Sequence, residues 1–134
     1  MRKYLTEFIG TFFLVLTIGC AVIGGATPAP LAIAAALMAM IFAGGHVSGA
    51  HYNPAVTLAV WMRGKCDTKD VVPYMIAQIA AACVAAAAVK FLTAGTLTGL
   101  KTAIKAMNPE VGPAFLAEFF YTFALAYVVL NVAT

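Results

Sequence analysis

The chain has 134 residues, 63% hydrophobic and 10% charged, with a formal net charge of +3 and a mean hydropathy of +0.97. The apolar excess sits in long blocks rather than in alternation, which excludes an ordinary soluble domain and predicts a polytopic all-α membrane protein. The charge is small and scattered, with no basic stripe interleaved with aromatics, so nothing supports nucleic-acid binding.

About 20 apolar residues carry a helix across the hydrocarbon core. The first such run is 4–26. Arg2-Lys3 would suit a cleavable signal, but the stretch behind them is too long for one and carries Glu7, so it reads as a span. Residues 24–30 make a tight Gly- and Pro-rich connection to a second span over 31–47. That span runs into His46-Val47-Ser48-Gly49-Ala50-His51-Tyr52-Asn53-Pro54-Ala55-Val56-Thr57. Pro54 breaks any helix that approaches it and suits the first turn of one that starts there, with Asn53 as N-cap. Extended backbone followed by a new half-helix over 54–62 is the expectation. The half-helix is apolar and too short to span, which a cytosolic cap would not explain. Non-helical backbone at membrane depth is tolerated only where protein buries it or it lines a cavity, and that marks this segment as the functional site.

A charged turn over 63–70 leads to the third span, 71–92. The longest loop is 93–112, broken by Gly95, Gly99, Asn108-Pro109 and Gly112-Pro113, with enough helical spacing over 97–107 for a surface turn. The last span is 113–131. Arg2 and Lys3 share a side with Arg63, Lys65 and Lys69, against Lys90, Lys101 and Lys105 opposite, so the positive-inside bias puts the N-terminus and the Asn-Pro-Ala loop in the cytoplasm. The expected division is a membrane domain over 1–134: a first repeat over 1–92, a connecting loop over 93–112, and the first helix of a second repeat over 113–134.

That repeat is visible in register. Leu5-Thr6-Glu7-Phe8-Ile9-Gly10-Thr11-Phe12 aligns with Leu116-Ala117-Glu118-Phe119-Phe120-Tyr121-Thr122-Phe123. A shared apolar pattern means little, but an aligned intramembrane Glu is costly and points to a task. Three spans separate the two starts, so the second copy enters from the opposite side, the inverted arrangement that builds a site near the midplane.

An N-capping Asn53 accepts a first-turn N–H with its oxygen and keeps its NH₂ free to donate, at a helix end carrying partial positive charge. Carbonyls of Gly49, Ala50, His51 and Tyr52 would lead to it as a row of acceptors. Such a row suits a file of uncharged hydrogen-bonding molecules and opposes cations and hydronium. For Glu7 and Glu118, bonding to loop N–H groups is a better reading than a proton relay, since no chain of titratable partners accompanies either. His46 and His51 lack the partners of a metal set, so hydrogen bonding that fixes the loop is expected of both. Cys20, Cys66 and Cys83 have no paired metal-ligand spacing and read as two small buried hydrophobes and one loop thiol. No nucleophile–base pair is visible, so neither an enzyme nor a cofactor is expected. Gly19, Ala77, Ala81 and Ala85 allow close helix packing. Tyr4, Trp61 and Tyr74 look like interfacial anchors.

These residues carry a resemblance. Glu7-Phe8-Ile9-Gly10-Thr11-Phe12, the loop from Gly45 to Thr57 and Ala117-Glu118-Phe119 resemble the N-terminal part of an aquaporin, of the major intrinsic protein family. The resemblance implies a multi-pass cell-membrane channel with six spans and two half-helices meeting at two Asn-Pro-Ala motifs, usually a homotetramer with one pore per subunit. It implies that Asn53, in the Asn53-Pro54-Ala55 motif, donates to the permeant and that the carbonyls of Gly49, Ala50, His51 and Tyr52 line half of the pore. It assigns Ile33 to the constriction and Leu37 to the wall. Water-selective members often hold Phe where Ile33 stands and glycerol facilitators Trp, and the second Asn-Pro-Ala-Arg does not occur in the chain. The implied function is passive water conduction, the alternative conduction of glycerol or another small neutral solute. A fragment of a longer channel is favoured over a truncated, non-conducting half-channel.

Overall fold

The computed structural model describes residues 1–94 and 110–134; the surface turn expected over 97–107, with Lys101 and Lys105, lies outside them. The described residues form five helices: α1 (Arg2–Ile23), α2 (Ala29–Ser48), α3 (Pro54–Met62), α4 (Thr68–Leu92) and α5 (Val111–Val132). All but α3 are long and apolar enough to cross a membrane. The chain is thus an all-α membrane protein, with each predicted span found within a few residues of its expected bounds.

Glycine stops two of the helices in the same way. At the end of α1, Gly25 takes φ +66°, and the N–H groups of Gly25 and Ala26 turn back to the carbonyls of Val22 and Ala21. At the end of α3, Gly64 takes φ +74°, with Gly64 and Lys65 bonded back to Trp61 and Val60. Both are left-handed caps that satisfy the last carbonyls of a helix.

α1 packs against both α2 and α4, and α3 against α4 and α5. α1 and α4 run parallel, since Lys3 meets Asp70, Glu7 meets Gln78 and Gly19 meets Val89. Two crossings, α1 and α2, separate the starts of these parallel neighbours, so the intervening α3 must enter and leave on one side. Close approach rests on small residues: Ala81 and Ala85 are fully buried, and a Cβ on Gly19 would stand 2.5 Å from Val89 Cγ2.

Polar and apolar side chains share the buried interior about equally. Glu7, Thr11, Ser48, His51, Thr57, Asp70 and Gln78 lie inside, while large apolar side chains such as Phe42, Phe91 and Phe120 point outward. A lipid surround supplies no hydrophobic drive between helices, so polar contacts and close packing hold the interior.

Three expectations need correction. Tyr74 is buried and donates to Ser48 O at 2.8 Å, and Tyr4 donates to Asp70 Oδ1 at 2.6 Å. Tyr74 is thus a packing element rather than an interfacial anchor, while Tyr4 stays half-buried at the charged end of α1; the rings meet edge-on at 5.8 Å. Trp61, by contrast, is exposed, with Nε1 on Thr68. Cys83 is exposed, not buried, because it falls on the outward face of α4. The third correction concerns the loop.

Candidate functional site

Residues 49–53 join α2 to α3. The loop is not simply extended: Gly49, Ala50 and Tyr52 have φ of +87°, +51° and +48°. The left-handed region costs a residue with a Cβ about 1–2 kcal/mol, so Ala50 and Tyr52 must be held there.

Glu7 holds them. Its Oε1 accepts from Ser48 Oγ at 2.6 Å and His51 N at 3.0 Å. Its Oε2 accepts from Tyr52 N at 2.7 Å and Gln78 Nε2 at 2.8 Å. These four donors fill the roughly four lone-pair sites of an ionised carboxylate. Successive N–H groups converging on one anion require a backbone that alternates in sign of φ, a concavity of the nest type. This is the physical reason the loop departs from extended geometry. The peptides are trans, so each carbonyl opposes its partner N–H. With the N–H groups of His51 and Tyr52 turned to Glu7, the carbonyls of Ala50 and His51 turn away from it.

Tyr52 is fixed at its far end as well, donating to Met40 O at 2.9 Å. Gly10 on α1 and Gly44 on α2 make room for its ring; a Cβ on either would overlap Tyr52. Ser48 Oγ also accepts from Ala50 N at 3.1 Å.

Asn53 caps α3 with φ −154° and ψ 131°. Its Oδ1 accepts from Ala55 N at 2.8 Å, and Pro54 opens the helix, where a missing N–H costs nothing. Asn53 is half-buried, and its amide hydrogens meet no partner among the described residues. Thr57, fully buried one turn on, donates to Asn53 O at 3.1 Å.

The loop, Glu7 and Asn53 are thus gathered at one place. Three other expected residues stand apart. His46 is exposed near the end of α2 and forms no hydrogen bond among the described residues. Ile33 and Leu37 are half-buried on α2, about four and three turns before the loop. Glu118 on α5 is exposed and bonds to no loop N–H among the described residues. It lines an open groove of about 750 Å³ between α3 and α5, with Ala55, Leu58, Phe115 and Phe119.

Gln78 was missed in the sequence. It is 1% exposed and bridges Glu7 to Thr57, 2.8 and 3.0 Å away. The signal was present: a lone amide in the apolar run Met75-Ile76-Ala77-Gln78-Ile79-Ala80-Ala81 needs a buried partner. Also missed was Asp70, which takes Lys3 and Tyr4 at the start of α4.

Below the loop lie two polar hollows of about 380 and 250 Å³, both lined by Ser48, His51 and Lys65. Cys66 lines the smaller one; burial, then the charge of Asp70, pushes its thiol above the ordinary value. Among the described residues no group of His, Cys, Asp and Glu is placed to hold a metal ion.

Residues 1–134 match the family model described as major intrinsic protein. The chain is 39% identical over 142 residues to the glycerol uptake facilitator protein-like 6 of Lactiplantibacillus plantarum, an alignment covering 100% of this chain and 64% of that protein. It is 38% identical to aquaporin AqpM of Methanothermobacter thermautotrophicus, covering 98% of this chain and 65% of that one. With an aquaporin Z of Rhodopseudomonas palustris the identity is 41%, over 76% of this chain and 46% of the relative. The chain therefore spans between about half and two thirds of the length of these relatives.

Proposed function

This chain belongs to the major intrinsic protein family, and from that membership we propose that the complete protein is a passive channel for water. Residues 1–92 act as its first repeat, 93–112 as the connection and 113–134 as the first helix of the second repeat. The Asn53 amide donates to the permeant at the positive start of α3, and the carbonyls of Gly49, Ala50, His51 and Tyr52 feed molecules toward it. Glu7 holds that loop; Glu118 and His46 support it in the complete protein, where Ile33 and Leu37 line the path. The protein sits in the cell membrane as a homotetramer, with the N-terminus and the loop on the cytoplasmic side. No cofactor takes part.

One observation carries this reading: Asn53 spends its oxygen on the cap of α3 and keeps its hydrogens uncommitted among the described residues. That is a donor held rigidly for a transient acceptor. The test is osmotic shrinkage of proteoliposomes containing the complete protein and its Asn53→Ala variant. Shrinkage well above empty vesicles, lost in the variant, supports the proposal; equal rates in all three overturn it.

Glycerol or another small neutral solute is the second reading. It draws support from the 39% identity to a protein named as a glycerol uptake facilitator-like protein and from aliphatic Ile33. Glycerol flux measured in the same vesicles decides between the two.

A further inference from the structure

The half of the α1–α4 pair away from the loop carries a groove of its own. Val15, Ile18 and Ile23 of α1 and Ala86 of α4 flank a hollow of about 470 Å³, with Lys90 at its rim. The tight contact of Gly19 with Val89 forms its floor. Val89 is buried while Ile18 and Ala86 are exposed, so the hollow is closed beneath and open to the outside. Ala86 brings only a methyl group to the wall, where a larger side chain would fill the space.

The depth of this groove follows from the helix rise. Lys3, Tyr4 and Asp70 form a polar layer at one end of the pair. Lys90 lies twenty residues beyond Asp70 on the same helix, about 30 Å away, which matches the thickness of a hydrocarbon core. Lys90 therefore stands at the opposite border, level with the lipid head groups. From Ile23 down to Val15 the groove covers about 12 Å, most of the roughly 15 Å that one leaflet contributes.

Lys90 is exposed and meets no carboxylate among the described residues, whereas Lys3 has Asp70 and Lys69 has Asp67. An ammonium beside a low-dielectric slot attracts an anion more strongly than one in bulk water. A protein partner would have to bring an acid to the border and an apolar ridge below it. A phospholipid carries both in one molecule, and in that order.

We propose that this groove binds an anionic phospholipid in the leaflet opposite the N-terminus, with one acyl chain between α1 and α4 and the head-group phosphate paired with Lys90. Phosphatidylglycerol is the class it fits. A zwitterionic lipid fills the slot equally well but brings its own ammonium to compete with Lys90 for the phosphate. The site is independent of what the channel conducts.

The test is native mass spectrometry of the complete protein, released from micelles containing equal amounts of phosphatidylglycerol and phosphatidylcholine with identical chains. The unaltered protein is expected to retain phosphatidylglycerol in preference, as one tightly held copy per chain. Lys90→Gln lowers that preference about fivefold, the worth of one basic residue at a lipid surface. Lys69→Gln removes the same charge at the opposite end, where Asp67 already pairs it, and leaves the preference unchanged. Ala86→Phe fills the groove and loses the retained copy; Ala87→Phe, exposed but outside the groove, keeps it. No preference in the unaltered protein overturns the proposal, and that result needs no variant to fold. An equal fall in Lys90→Gln and Lys69→Gln reports net charge alone and overturns it as well. Retention through Ala86→Phe refutes the groove as the place where the acyl chain lies.

Discussion

Replacing Glu7 by Gln keeps the length of the side chain and removes its charge. The carboxylate takes four donors: Ser48 Oγ, the N–H groups of His51 and Tyr52, and Gln78 Nε2. A Gln at position 7 offers one oxygen with two lone pairs, and its NH₂ meets the other two donors head-on. Two buried donors therefore go unpaired, at roughly 1–3 kcal/mol each. Hydrogen bonds to a charged group also exceed neutral ones by about 1 kcal/mol. The left-handed geometry of Ala50 and Tyr52 loses its support at the same time. The expected loss is roughly 2–6 kcal/mol, on the scale of a whole small domain's stability. Reversible unfolding of the complete protein in mixed micelles measures it, and osmotic shrinkage of vesicles reports the loop, with water flux near background expected for the variant. A loss under about 1 kcal/mol, the worth of one neutral hydrogen bond, together with unchanged flux, would refute the reasoning.

Gly10→Ala drives a Cβ into the Tyr52 ring, which Met40 O holds from the other side. Destabilisation of at least about 1–3 kcal/mol is expected, against a neutral to slightly stabilising Gly112→Ala, where a Cβ meets nothing within 4 Å; equal effects would discount the packing argument. Asn53→Asp turns the free donor into an acceptor and adds a negative charge at the start of α3, so proton or cation leak should rise while water flux falls. An unaltered leak counts against the electrostatic barrier. Vesicles holding only residues 1–134 should shrink no faster than empty ones, because the α3–α5 groove is open along its length; rapid shrinkage contradicts this. The Cys66 thiol is pushed up by burial and by Asp70, and only the thiolate reacts. Its alkylation by a water-soluble reagent should therefore rise at higher pH than that of a free thiol, and a coincident or acid-shifted curve would be inconsistent.

The spans were legible because a bilayer asks for one thing, apolar length, and the chain supplies it in blocks. The start of α3 was equally plain: Asn53-Pro54 leaves few alternatives, and its capping bond to Ala55 N follows from residue type. The loop conformation was not legible. Extended backbone is the default for Ala50 and Tyr52, and only a distant partner, Glu7, 44 and 45 residues before the N–H groups it holds, makes left-handed geometry worth its cost. Local propensity cannot carry that information. Tyr74 misled for a related reason. A tyrosine near the end of an apolar run fits the membrane interface by composition, but a parallel neighbour in α1 and the Ser48 carbonyl claim it. Gln78 lay open to inference as a polar side chain in a span, though nothing in the sequence named its partners.

The two copies of the repeated segment show how much environment decides. Glu7 and Glu118 occupy matching positions in Leu-x-Glu-Phe, yet Glu7 is fully buried with four donors and Glu118 is exposed in a groove beside α3. A buried anion without donors is among the costliest groups a membrane protein can hold. The difference between the two is thus the difference between a carboxylate that has a left-handed loop wrapped on it and one that does not. The same donors serve a second purpose. In the proposed channel, an anion close to the start of α3 would weaken the positive potential that opposes cations there. Four hydrogens pointed at Glu7 temper its field without removing its net charge, so the loop gains its anchor at a smaller cost to the helix end. A counter-cation would have neutralised the anion but would have placed a strongly hydrated charge beside the proposed path. Dipoles from Ser48, His51, Tyr52 and Gln78 stabilise the anion and anchor the loop with no net charge of their own.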